Sequence, residues 1–191
     1  MGNSLSLNFA HKPVLAGERT LLRPFTEDDA SAMAAIIGDP EVIRYTFQPS
    51  AELTLERLKA WYGSRGEQDD RLDLAVADSD SGEVVGEVVL YDVDPLNRNC
   101  TFRILIGPRG RGRGLGTEAT RLIVGYGFEH VGLHRIQLEV YTDNYRALRA
   151  YEKVGFTTEG VRRQAQLRDG IWRDEVVMSI LSHEWNAASK R

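Results

Sequence analysis

Between a predicted strand and a predicted helix the chain reads Arg109-Gly110-Arg111-Gly112-Arg113-Gly114-Leu115-Gly116-Thr117-Glu118-Ala119. Four glycines within seven residues strip this backbone of Cβ atoms, so its N–H groups are free to close around an anion. The following helix adds first-turn N–H groups without intrahelical partners and the positive end of its dipole. A phosphate or pyrophosphate suits such a place. Taken alone, an arginine–glycine surface loop for nucleic acid reads the same way, and the flanks decide between the two. Upstream, residues 100–106 read as a strand that Gly107-Pro108 ends. Downstream, Leu115, Ala119, Leu122, Ile123 and Tyr126 recur at helical spacing, which predicts an amphipathic helix to about Glu129. Strand, glycine loop and helix stand in the order of a phosphate cradle. The dinucleotide spacing Gly-x-Gly-x-x-Gly does not fit, because position 115 is Leu, and no Gly-Lys-Ser/Thr closes a Walker loop.

Working outward, Thr20–Pro24 reads as a strand and Thr26-Glu27-Asp28-Asp29 as a capped, acidic helix entry running to about Ile37. A second helix is predicted over Leu53–Ser64, followed by a polar loop at Gly66–Arg71. Leu72–Asp78 and Glu83–Asp92 form a predicted hairpin around Ser79–Gly82, and Asp94-Pro95-Leu96-Asn97 turns into the strand at Cys100. Antiparallel runs joined to one strand–helix–strand unit give an α+β class, a mixed and mostly antiparallel sheet flanked by helices. One domain is expected over 18–183, between a flexible N-terminus (1–17) and a short tail (184–191).

The 191 residues are 42% hydrophobic, enough for one substantial core. A net charge of −4, from 24 basic and 28 acidic residues, opposes a general nucleic-acid binder. The single cysteine, Cys100, excludes an internal disulfide and reads as a small buried hydrophobe in a reducing compartment, with cytoplasmic localisation expected. His130 and His134 are four apart but lack the further partners of a metal site, so no metal is expected. Met1-Gly2-Asn3-Ser4-Leu5-Ser6 satisfies the myristoylation pattern, yet only His11 and Lys12 follow where a polybasic run would be needed to hold a membrane. No apolar stretch has the length of a signal peptide or a span.

The glycine loop matches Arg/Gln-x-x-Gly-x-Gly/Ala at Arg111, Gly114 and Gly116. About 30 residues on, Asn144, Ala147, Tyr151, Gly155 and Phe156 spell Asn-x-x-Ala-x-x-x-Tyr-x-x-x-Gly-Phe. On these two motifs the chain resembles the GNAT superfamily of acetyl-CoA-dependent N-acetyltransferases. The resemblance extends over residues 18–183. Leu21-Leu22-Arg23-Pro24, Asp39-Pro40-Glu41-Val42 and Gly170-Ile171-Trp172-Arg173-Asp174 look most like its branch of ribosomal-protein N-terminal and spermidine acetyltransferases.

The resemblance implies acetyl-CoA as cosubstrate, its pyrophosphate on the backbone of Arg111, Gly112, Arg113, Gly114, Leu115, Gly116 and Thr117. Ile104, Leu105 and Ile106 would run beside the pantetheine arm, with a strand N–H polarising the thioester carbonyl. Asn144 and Tyr151 lie seven apart and share a helix face, Asn144 at an N-cap position. Packing alone accounts for a tyrosine there; the resemblance makes it the acid that protonates the departing thiolate, a role open to a phenol still protonated at neutral pH. Glu87 interrupts the apolar run Val84–Tyr91. It is either a buried carboxylate with a raised pKa, fit to act as base, or an edge-strand residue facing water while ordered water takes the proton. Tyr91, Asp92 and the stretches Pro40–Ser50 and Glu67–Arg71 are the expected acceptor cleft, and Glu139 reads as a solvent-side residue.

A CoA-binding regulatory module would keep the loop without needing Tyr151. Among enzymes, the branch favours a protein or peptide α-amine as acceptor, with polyamine, amino-acid and antibiotic amines as alternatives. The partners expected are an amine-bearing substrate, no nucleic acid and no membrane, in a monomer or homodimer.

Overall fold

The computed structural model describes residues 7–46 and 53–188. Eight strands form one sheet in the order β1 (Leu15–Ala16), β2 (Thr20–Pro24), β3 (Leu72–Asp78), β4 (Val84–Asp94), β5 (Asn99–Ile106), β6 (Arg135–Tyr141), β8 (Ile171–Leu181) and β7 (Thr157–Arg168). Every neighbouring pair is antiparallel except β5 and β6. The parallel pair needs a crossover, and helix α4 (Leu115–Tyr126) supplies it. Pairing between β5 and β6 stops early, at Asn99–Thr101 against Arg135–Gln137. Beyond Thr101 the two strands part, leaving one edge of residues 102–106 without a strand partner.

Strand alternation sorts the side chains onto two faces. On the first, Leu74, Val76, Val88, Leu90, Phe102, Ile136 and Leu138 meet α4 and α5 (Tyr145–Val154) in the main core. Leu115, Ala119, Ile123 and Val124 are the buried stripe of α4; full burial of a leucine or isoleucine contributes roughly 1.5–3 kcal/mol each. On the second face Ala75 and Leu105 meet α1 (Ala30–Ile37) and α3 (Leu55–Gly63), through Ala30, Met33, Leu58 and Tyr62.

The expected mixed sheet and the order of its elements are present. A short helix that the sequence reading did not place, α2 (Pro40–Tyr45), is started by Asp39, whose carboxylate accepts from the backbone N–H groups of Glu41 and Val42. The α4 helix ends at Tyr126 rather than Glu129, and one wider turn (Gly127–Val131) carries the chain to Gly132, in the left-handed region. Both ends of the expected domain extend further. Within 1–17, Phe9 is buried in the main core and donates its N–H to the Asp69 carbonyl, while Leu15–Ala16 pair with β2. Within 184–191, Trp185 of α6 (Ser182–Ala188) is buried, packs on Gly125 and donates to Glu129 at 2.8 Å. The myristoylation pattern at residues 1–6 and residues 47–50 of the expected cleft lie outside the described residues. Cys100 is fully buried in the core, as expected of a small hydrophobe, and burial raises its thiol pKa.

Candidate active site

The glycines of the loop divide their work. Gly112 and Gly114 have φ of +72° and +83°, a region that side chains with a Cβ rarely adopt. Gly110 and Gly116 instead permit close packing: a Cβ on either would stand 2.8 Å or 3.2 Å from the Ile106 side chain. Gly114 is the N-cap of α4, and the first intrahelical bond runs from the Glu118 N–H to the Gly114 carbonyl at 3.1 Å. The N–H groups of Leu115, Gly116 and Thr117 therefore have no intrahelical acceptor. They are the donors that a pyrophosphate requires.

None of the three loop arginines is an uncompensated charge. Arg109 pairs with Glu83 at 2.5 Å and Arg113 with Asp78 at 2.5 Å. Arg111 is 15% exposed, donates to the Ile106 carbonyl at 3.0 Å, and binds the carboxylates of Asp39 and Glu41. Its guanidinium holds the Asp39 pKa below the usual carboxylate range. The arginine of the first motif thus ties the loop to the start of α2. Arg113 and Leu115, expected among the cofactor residues, send their side chains to Asp78 and into the core. Their contribution to an anion site is backbone.

A cavity of about 890 Å³ joins this loop to the gap between β5 and β6. Ile104, Leu105, Ile106, Arg111, Gly112, Gly114, Gly116, Thr117, Asn144 and Tyr151 all line it, so ten expected site residues converge. The cavity passes through the sheet. Phe102, Ile104, Val140 and Tyr151 belong to the α4 side, whereas Tyr91, Arg103, Leu105, Glu139, Tyr141 and Glu175 belong to the other. Such a passage exists only because the parallel pair parts after Thr101.

Asn144 caps α5, accepting from the Ala147 N–H at 3.2 Å, so its structural role is real; it also faces the cavity. Tyr151 is 7% exposed, edge-on to Phe102 with ring centroids 6.1 Å apart, and its hydroxyl has no protein partner among the described residues. Burial raises its pKa well above that of free tyrosine.

Glu87 resolves the choice left by the sequence in favour of burial, at 4% exposed. Its Oε1 accepts from Arg103 at 2.7 Å and its Oε2 from the Tyr62 hydroxyl at 3.4 Å. Desolvation pushes its pKa up, opposed by the Arg103 charge. Glu87 is absent from the cavity lining, where Arg103 stands in front of it. Glu67–Arg71 and Asp92 do not line the cavity either; Arg71 instead pairs with buried Asp73 at 2.7 Å. Tyr91, Glu41, Val42, Tyr45 and Thr46 do line it.

Sequence reasoning missed Glu175. Glu139, read as a solvent-side residue, is exposed, with 41% of its side chain accessible, and like Glu175 it also lines the cavity. Glu139 pairs in register with Val177, and Tyr141 with Glu175, so the two carboxylates lie diagonally on one face of adjacent strands. Period-2 alternation alone makes Glu139 a solvent-side residue; the clue lay in a second glutamate at the start of the apolar run Glu175–Leu181.

Residues 19–157 match the Acetyltransferase (GNAT) domain. The chain belongs to the GNAT acetyltransferase family. It is therefore an N-acetyltransferase, and GNAT acetyltransferases use acetyl-CoA as donor. Among relatives, it is 30% identical to spermidine N(1)-acetyltransferase of Escherichia coli K12 over 169 residues, 88% of this chain and 89% of that protein. A Bacillus subtilis protein provisionally named ribosomal N-acetyltransferase YdaF is 30% identical over 104 residues, 54% of this chain and 57% of that one. The fold matches the crystal structure of Vibrio cholerae spermidine N-acetyltransferase with CoA and spermine at a TM-score of 0.80 and 24% identity, covering 89% of this chain and 99% of that one.

Proposed function

We propose that this GNAT enzyme transfers the acetyl group of acetyl-CoA to a primary amine of a polyamine-type acceptor. The observation that carries the reading is one continuous cavity with three chemistries along it. A helix-start anion cradle lies at one end, a free tyrosine hydroxyl borders the passage, and paired carboxylates occupy the far side of the sheet. The pyrophosphate would rest on the N–H groups of Leu115–Thr117, and the exposed edge of Ile104–Ile106 would bond the pantetheine arm as a neighbouring strand does. When bound, acetyl-CoA supplies an activated thioester. Tyr151 would then stand on the α4 side to protonate the departing sulfur, while the amine enters from the opposite face. The mainly desolvated phenol stays protonated throughout the neutral and mildly alkaline range. Glu87 is read as a positioning residue that holds Arg103, and the amine proton as leaving through water.

The polyamine reading draws support from Glu139 and Glu175 and from the spermidine acetyltransferase relative. A protein α-amine is the second reading, favoured by the branch resemblance and by the partial match to the ribosomal-type relative. Acceptor competition decides between them. With acetyl-CoA saturating and free thiol release followed, spermidine or spermine should exceed an N-terminal peptide by at least about 10-fold in kcat/KM, a 1.4 kcal/mol preference. A peptide preferred by the same margin would overturn the polyamine assignment and restore the α-amine.

A further inference from the structure

Across β6, β8 and β7 one small charge cluster faces the acceptor side without taking part in the steps above. Arg162 Nη1 donates to Glu139 Oε1 at 2.9 Å but stands 3.5 Å from Glu175 Oε2. That Oε2 atom is buried and has no hydrogen-bond partner among the described residues. The Glu175 side chain is 10% exposed, whereas that of Arg162 is 53% exposed on the edge strand. One half-exposed guanidinium is thus shared by two carboxylates, the 41% exposed Glu139 and the buried Glu175, and hydrogen-bonds only the first.

We propose that Glu139 and Glu175 form the subsite for the ammonium of the acceptor that stays charged during transfer, and that Arg162 is the internal cation holding this subsite until the acceptor enters. This rests on the polyamine reading. An ammonium carries three N–H donors and no acceptor, and it can bridge two carboxylates that one planar guanidinium reaches unequally. Displacing Arg162 into water costs little, because an exposed ion pair contributes little. Leaving a buried carboxylate oxygen unpaired costs more, so an incoming ammonium gains what Arg162 fails to supply. Burial raises the Glu175 pKa and the Glu139 charge adds to it, against the lowering by Arg162 and by a hydrogen bond from Gln166. The other cations on this side have partners of their own: Arg103 serves Glu87 at 2.7 Å, Arg173 pairs with Asp143 at 3.2 Å, and Arg168 donates to the Tyr141 hydroxyl and the Ile43 carbonyl.

Glu175→Gln, Glu139→Gln and Arg162→Gln test the assignment, with spermidine and a monoamine of equal length as acceptors and CoA affinity as the control for folding. Either glutamine at 139 or 175 should raise the spermidine KM by about 10-fold or more, with kcat changed far less and the monoamine KM changed by less than about threefold. Arg162→Gln should lower the spermidine KM by about 3–10-fold. An unchanged spermidine KM in both glutamate variants, or equal losses for spermidine and monoamine, would overturn the subsite. A rise in KM with Arg162→Gln would make Arg162 a strut and overturn its role as placeholder. Calorimetric binding of spermidine to the CoA-loaded enzyme separates this from the function itself. Wild type that binds spermidine without acetylating it, with binding lost in Glu175→Gln, keeps the subsite and ends the polyamine-acetyltransferase reading. Wild type that acetylates spermidine with variants unaffected does the reverse.

Discussion

Tyr151 and Glu87 show how neighbours turn a residue type into a role. Tyr151 borders the passage with a free hydroxyl, while its ring is fixed by Phe102 and Phe156. Tyr151→Phe keeps that packing and removes only the proton donor. Turnover should fall by about 10–1000-fold while CoA affinity stays unchanged, measured by thiol release and calorimetry. Full turnover would reduce Tyr151 to a packing residue. Glu87 has its carboxylate committed to Arg103 and Tyr62, so Glu87→Gln should lower kcat/KM by only about 3–10-fold. The loss should be about the same at pH 7 and pH 9.5, because a group that only holds Arg103 takes no part in removing the amine proton, and Tyr151, whose pKa is raised, keeps its proton throughout. A large loss at pH 7 that recovers as the free-amine fraction grows toward an amine pKa near 10.4 would make Glu87 the base.

Elements were legible in the sequence where local rules govern them. The glycine loop and α4 follow from backbone freedom and helical spacing, and the Asn144–Tyr151 face of α5 follows from a seven-residue repeat. What was not legible depends on contacts far along the chain. The backbone of Arg111 was placed in the phosphate loop, but nothing near it in the chain shows where its side chain goes: its partners Asp39 and Glu41 lie some 70 residues earlier and pull it toward α2. Glu175 gained its place only through the register of β8 against β6. The early end of the β5–β6 ladder, which opens the cavity, has no sequence signature at all. For the loop itself, Gly114→Val should weaken CoA binding by at least about 10-fold, because its φ of +83° excludes a branched side chain and the helix start must shift. Unchanged affinity by calorimetry would remove the cradle from the account.

At the scale of the molecule, the sheet separates α4 and α5 on one side from α1 and α3 on the other, and the cavity where β5 and β6 part is lined from both, Glu139 and Glu175 included. In the proposed reaction only the thioester reaches through. Packing at both chain ends, by Phe9 and Trp185, buttresses the main core around α4. All three loop arginines have carboxylate partners, so the loop carries no uncompensated positive patch.

The most direct measurement is amide hydrogen exchange with and without saturating CoA. Exchange should slow by at least about 10-fold at Ile104 and Ile106 and across Gly112–Thr117, because a ligand there takes up backbone N–H groups on the unpaired edge of β5 and at the start of α4. Strand β3, which borders neither, should be unaffected. CoA that binds without protecting either segment would contradict the account.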